Sequence, residues 1–223
     1  MCWSLRVSLG SWALVAALAA FLWRRAWRND RWFAALLLFV GQVQALEAVL
    51  WLDQGCSGPN QAATWVLLGW VSLEPLAHSL IALACTPRKA RSAAQWVLAA
   101  AAAAFAAAFA AAAAGPPGAA RQGWCSRPCG AADCGAHLRW SWVPNINAAW
   151  HLAFLAFLAT PLAFMRPWSH AIAAAAYAFA TFAAAHVVFN PAEVFESMWC
   201  WLAVGGFAVP LVLGRPPAKH VRA

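Results

Sequence analysis

Seven apolar stretches, separated by short polar breaks, follow one another along this chain. Each approaches the length of about 20 residues that a helix needs to cross roughly 30 Å of hydrocarbon. The predicted spans are 7–23, 32–52, 62–84, 93–114, 142–164, 168–189 and 195–213. The pattern predicts an all-α, seven-helix transmembrane bundle: one integral membrane domain over 1–223 with little chain left for anything else. The one long connection, 115–141, carries cysteines and is expected on the outer side. The fourth stretch is almost pure alanine, with Phe105 and Phe109 as its main large apolar groups. Alanine forms helix readily but is only weakly lipophilic, so this segment is expected to pack among the other helices.

The polar breaks alternate in charge, which predicts orientation. Arg24, Arg25, Arg28 and Arg31 lie in the first, Arg88, Lys89 and Arg91 in the third, Arg166 in the fifth, and Arg215, Lys219 and Arg222 in the tail. The connections 53–61 and 190–194 contain no Lys or Arg. With seven spans, the basic segments all fall on one side, so the positive-inside rule places the N-terminus outside and the C-terminus in the cytoplasm. Arg121, Arg127 and Arg139 in the outer connection run against this trend. The first apolar run ends in a basic flank rather than a small-residue cleavage site, so it is expected to be a retained helix. Trp23, Trp27 and Trp32 fall at the inner interface, and Trp51, Trp65, Trp140 and Trp142 at the outer one.

Composition supports the membrane assignment. Of 223 residues, 64% are hydrophobic and only 10% charged, against about 25% charged in a soluble domain. The net charge of +8 is explained by arginines at helix ends facing anionic headgroups, so the bilayer and not nucleic acid is the expected partner.

Cys56, Cys125, Cys129 and Cys134 all fall on the outer side of this topology, where disulfides are stable. Four cysteines allow three pairings. A bridge from Cys56 to the long connection would clamp the outer mouth. The alternative is a zinc site from Cys125, Cys129, Cys134 and His137, should that connection face the cytosol. Cys85 and Cys200 are expected to act as small apolar residues.

Ionisable groups inside spans are costly and mark candidate function. They form two layers. The outer one holds Gln44 and Glu47, three apart on one helical face, with Asn145, Asn147, His151, His186 and Glu196. The inner one holds Glu74 and His78, four apart on one face and flanking Pro75, which deprives the Val71 carbonyl of its helical donor. Thr160-Pro161 and Gly205-Gly206 with Pro210 are expected to interrupt spans five and seven, and broken helices at membrane depth often line a substrate path. The run Trp65–Trp70 leading to Pro75 echoes Trp199–Val204 leading to Pro210, which suggests a 3+1+3 repeat.

Several seven-span families are excluded by chemistry. Retinal attachment needs a lysine in the last span, and the two lysines, Lys89 and Lys219, lie outside the spans. No Asp-Arg-Tyr follows span three. The 3+1+3 layout is similar to that of SWEET and PQ-loop transporters, without their Pro-Gln pair. The segments Leu46–Trp51, Leu73–Leu76 and Glu196–Trp201 resemble an uncharacterised multi-span membrane family of algae and large DNA viruses, a resemblance that implies no activity and no functional residues. No nucleophile–base pair stands out, so no enzymatic activity and no cofactor are expected. The expected function is a transporter or channel for a proton, small cation or small solute. Gln44, Glu47, His151, His186 and Glu196 would form its outer site, and Glu74 and His78 its inner relay. The alternative is a sensory or interaction scaffold acting through the outer Cys-rich connection.

Overall fold

The computed structural model describes residues 4–115, 124–128, 137–189 and 194–214, with backbone only at 189, 195, 196, 201, 203, 204 and 207. Among the described residues the structure is all-α apart from one short antiparallel pairing of β1 (Arg127–Pro128) with β2 (Leu138–Arg139). The helices are α1 (Leu5–Arg25), α2 (Asp30–Leu52), α3 (Gly58–Cys85), α4 (Ala93–Ala114), α5 (Ala148–Ala159), α6 (Trp168–Phe189), α7 (Phe195–Val204) and α8 (Ala208–Leu213). Five of them, α1–α4 and α6, are long and apolar enough to cross a membrane. Their outward surfaces carry large apolar side chains: Val97, Ile172 and Val187 are 66–76% exposed. Such a surface is stable in lipid, not in water. The protein is therefore built to be membrane-embedded.

The expected spans 142–164 and 195–213 take a different form. Span five begins later than the hydropathy suggests. Val143–Asn145 is a 3-10 turn, and Asn147 caps α5, accepting from the N–H groups of Ala149 and Trp150 at 3.1 and 3.3 Å. Asn145 donates to the Ala113 carbonyl at 2.7 Å. Both asparagines thus complete helix ends and lie outside α5. Past Ala159 the chain tightens into a 3-10 helix, Thr160–Phe164. α7 similarly passes through a 3-10 turn, Gly205–Phe207, into α8. The two halves of the suggested repeat differ here: α3 runs unbroken through Pro75, whereas α7 stops at Val204.

α1 to α4 pack against one another in chain order. α1 approaches α2 at Gly41, where a Cβ would meet Val15 Cγ1 at 2.5 Å, so a larger residue would push Val15 and α1 away. The alanine-rich α4 forms fully. Its start carries a reciprocal cap between Ser92 and Gln95, and Gln95 also donates to Thr86 Oγ1 at 3.0 Å. Phe105 stacks on Phe157 at 4.6 Å and Phe109 meets Phe154 at 5.4 Å. Two large aromatic side chains thus seat a helix whose alanines permit close approach.

Contacts at the helix ends sort the connections. At one end, Arg28 Nε and Asn29 Nδ2 both donate to the Arg166 carbonyl, at 3.0 and 2.8 Å. There Arg25 grips Asp30 with two bonds of 2.8 Å and reaches the Pro210 carbonyl at 2.8 Å. Arg25 is therefore more than an orienting charge. Its fork and the Trp27 N–H, 2.9 Å from Asp30 Oδ2, fix the elbow between α1 and α2 and tie α8 to it. At the other end, a disulfide joins Cys56 to Cys125. Beside it Asn60 donates to the Ser126 carbonyl at 2.9 Å, and Thr64 donates to Ser126 Oγ at 3.2 Å. Trp65 stacks on Trp124 at 4.3 Å.

Candidate functional site

A cavity of about 110 Å³ lies where α2, α3, the α5 segment, α6 and the broken α7–α8 segment converge. Its polar wall groups are Glu74 and His78 from α3 and Tyr177 and Thr181 from α6; most of the remainder is apolar or aromatic. Glu74 is 3% exposed, and its Oε1 is buried without a hydrogen-bond partner. The other three polar groups are committed. His78 Nε2 lies 2.9 Å from Trp32 Nε1, and its Nδ1 lies 2.8 Å from the Leu158 carbonyl. An indole N–H can only donate and a carbonyl can only accept. His78 is therefore held as the Nδ1–H tautomer with both nitrogens occupied.

Pro161 explains why Leu158 is available. In 3-10 spacing the Leu158 carbonyl faces residue 161, and proline has no N–H to offer. His78 supplies the missing donor. Tyr177 serves the other interruption in a similar way: its hydroxyl donates to the Leu202 carbonyl at 2.5 Å. A Cβ on Gly205 would clash with that hydroxyl, so a side chain at the break would displace Tyr177. Thr181 Oγ1 donates to the Tyr177 carbonyl at 2.9 Å and accepts from Trp199 Nε1 at 3.3 Å.

The outer layer is centred on Glu47, which is fully buried. Its Oε1 accepts from Ser197 Oγ at 2.9 Å and Trp140 Nε1 at 3.2 Å, and its Oε2 accepts from Gln44 Nε2 at 2.9 Å. α2, the segment at Trp140 and α7 are joined through this one carboxylate. His151 is 8% exposed and, with Trp140, Trp199 and Cys200, lines a small cavity of about 20 Å³. His186 stacks on Phe182 at 6.1 Å, and Phe182 in turn meets Trp199. The Glu196 side chain lies outside the described residues.

A third, larger cavity of about 950 Å³ opens at the basic end. Trp32, Trp27, Arg31, Cys85 and Arg166 are on its wall. Two tryptophans link the walls of the three spaces. Trp32, on the wall of the basic-end cavity, is bonded to His78, on the wall of the central one. Trp199, bonded to Thr181, lines both the central cavity and the small outer one.

The sequence-predicted residues therefore fall into two groups. Gln44 and Glu47 meet each other, and Glu74 and His78 share the central cavity. The donors to these groups include Trp32 and Trp140, which the sequence pattern marked only as interface residues, and Ser197, which it did not single out as polar; nor did it single out Tyr177 and Thr181 on the cavity wall. Tyr177, the one tyrosine, and Ser197, a polar residue in the last span, were the signals available.

Cys125 is bonded to Cys56, which removes it from the zinc set considered with Cys129, Cys134 and His137. Cys129 and Cys134 lie outside the described residues. Among the described residues, no group of three or more His, Cys, Asp and Glu is placed to hold a metal ion.

No protein-family model, curated protein or solved structure matches the chain. Fold and buried polar groups define a membrane-embedded, multi-helix all-α protein, and its function has to be read from the site itself.

Proposed function

We propose that this chain is a seven-span membrane carrier for a proton, small cation or small solute, with the Glu74 cavity as its binding site. The observation that carries this reading is the Glu74 carboxyl group. It is buried at the meeting point of five helical segments with an oxygen that the protein leaves unpartnered. A carboxyl group in that position is costly to maintain. Midbilayer sites beside interrupted helices are where carriers bind their cargo, and both interruptions, at Pro161 and at Gly205, lie next to this cavity.

Trp32–His78 acts as the inner gate and Trp199–Thr181 as the outer gate. Each is a single hydrogen bond that a rotamer change breaks. The Glu47 layer closes the outer end above Trp199. The remaining spans are the α5 segment continued through its 3-10 turn and α7 continued into α8. The N-terminus is outside: the basic connections gather at one end, and the disulfide at the other suits an oxidising compartment.

The test is flux in proteoliposomes. Glu74→Gln is expected to abolish pH-dependent flux or current while the variant remains folded in detergent. Normal flux in that folded variant would remove Glu74 from the mechanism.

The alternative scaffold reading draws on one observation. The Cys56–Cys125 bridge and the Asn60–Ser126 bonds give the outer connection a fixed seat. Replacing residues 129–136 with a short linker keeps Cys125, Ser126 and Trp140. Retained flux supports the carrier; no flux in either protein, with loss of a binding partner in the variant, supports the scaffold.

A further inference from the structure

We infer that the Glu74 cavity is shaped for a small alkylammonium ion, an organic cation with one charged head and a short apolar tail. This rests on the carrier reading for its biological use, but the binding claim stands on the cavity itself.

The polar inventory of the wall selects the ligand class. His78 has both nitrogens occupied, the Tyr177 hydroxyl is given to Leu202, and Thr181 Oγ1 both donates and accepts. The Glu74 carboxyl group is left with an unpartnered acceptor. A ligand that satisfies it must bring a donor, and a positive one answers the carboxylate best.

An inorganic cation does not fit this wall. Hard cations are held by several oxygens at once, and among the described residues no group of three or more His, Cys, Asp and Glu is placed to hold a metal ion, with His78 committed to Trp32 and Leu158. The rest of the wall is of the opposite character. Phe33, Leu37, Leu158, Ala178 and Trp199 offer aliphatic and aromatic surface, which suits an alkyl tail and favours a cation near its rings.

Size narrows the class further. A cavity of about 150 Å³ accommodates benzene, with six heavy atoms. The 110 Å³ here corresponds by proportion to about four or five. Propylammonium and butylammonium meet that limit; tetrabutylammonium exceeds it several-fold.

The experiment is calorimetric titration of the full chain in detergent with n-butylammonium chloride. n-Butanol serves as the neutral control, tetrabutylammonium as the oversized one and sodium chloride as the inorganic one. Saturable butylammonium binding at least tenfold tighter than that of butanol is expected, with no binding of the other two. Glu74→Gln is expected to lose the preference for the charged ligand. Should that variant not fold, Ala178→Leu, which adds bulk to the cavity wall from α6 and leaves Glu74 in the chain, is expected to abolish binding.

Equal affinity for butanol and butylammonium, or binding that survives Ala178→Leu in a folded protein, overturns the inference. So does tighter binding of tetrabutylammonium. The two claims fail separately. Glu74-dependent proton flux without butylammonium binding overturns this inference and leaves the carrier. Specific butylammonium binding without any flux supports the inference and removes the carrier.

Discussion

Trp32 and His78 meet through a 2.9 Å hydrogen bond, with their rings edge to face at 5.7 Å. This contact joins α2 to α3 and links a residue on the wall of the basic-end cavity to one on the wall of the central cavity. Trp32→Phe keeps an aromatic ring but removes the donor, leaving His78 Nε2 buried and unpaired. Hydrogen bonds between membrane helices average about 0.6 kcal/mol and reach about 1.7, so a loss of about 1–2 kcal/mol is expected with the unpaired acceptor included. Thermal unfolding in detergent measures it. The same variant is expected to raise passive leak in proteoliposomes; an unchanged leak would show that the indole N–H is no gate.

Glu47 makes a stronger prediction, because donors from three parts of the chain converge on it. Glu47→Leu strands the N–H of Trp140, the hydroxyl of Ser197 and the amide of Gln44, at about 1–3 kcal/mol each before relaxation. A total loss of about 3 kcal/mol or more is expected. Ser197→Ala in the Glu47→Leu background should then cost much less than in the wild type, and a double-mutant cycle reads the coupling directly. Additive losses would mean that the two residues do not share the bond.

The Cys56–Cys125 bridge spans 69 positions. Removing a native disulfide costs about 2–5 kcal/mol in small domains. Cys56→Ser or reduction is expected to lower the unfolding temperature and to shift gel mobility under non-reducing conditions. Cys125→Ser should match Cys56→Ser, and the double variant should be no worse than either single one.

Asp53 sits between α2 and α3, outside the spans. The Ser57 hydroxyl, and after it the N–H groups of Asn60, Ser57 and Gly55, hold its carboxyl below the ordinary value of 3.8. A depressed folded value contributes stability above the unfolded value and loses it as pH falls through the folded one. Asp53→Asn is therefore expected to be less stable than the wild type at neutral pH, with the gap closing below about pH 4. A gap that stays constant from pH 7 to pH 3 would dismiss the carboxylate. Thermal unfolding across that range is the measurement.

Particular residues show how much was legible beforehand. Hydropathy placed α1–α4 and α6 within a few residues, because a lipid-solvated helix announces itself locally, residue by residue. Pro161, Gly205 and Pro210 marked the interruptions for the same reason: each changes backbone bonding at its own position. Asn145 and Asn147 misled, since an apolar run continues through them while their side chains finish α4 and cap α5. Cys56 and Cys125 were among four candidates whose pairing no spacing could choose. Arg25 read as an orienting charge because its partners Asp30 and Pro210 are assembled only by the elbow and by α8.

Taken alone, the order of residues determined that this protein lives in lipid, where its helices run, and that Glu47 and Glu74 are buried acids in need of a reason. Only the tertiary structure decided that their situations are opposite. Glu47 is met by Trp140 and Ser197, 93 and 150 positions away, while Glu74 keeps an open oxygen over a cavity. The physical reason is range. Hydrophobic solvation acts on each segment independently, but a hydrogen-bond donor reaches a buried acid only when packing between distant helices brings the two within 3 Å or so.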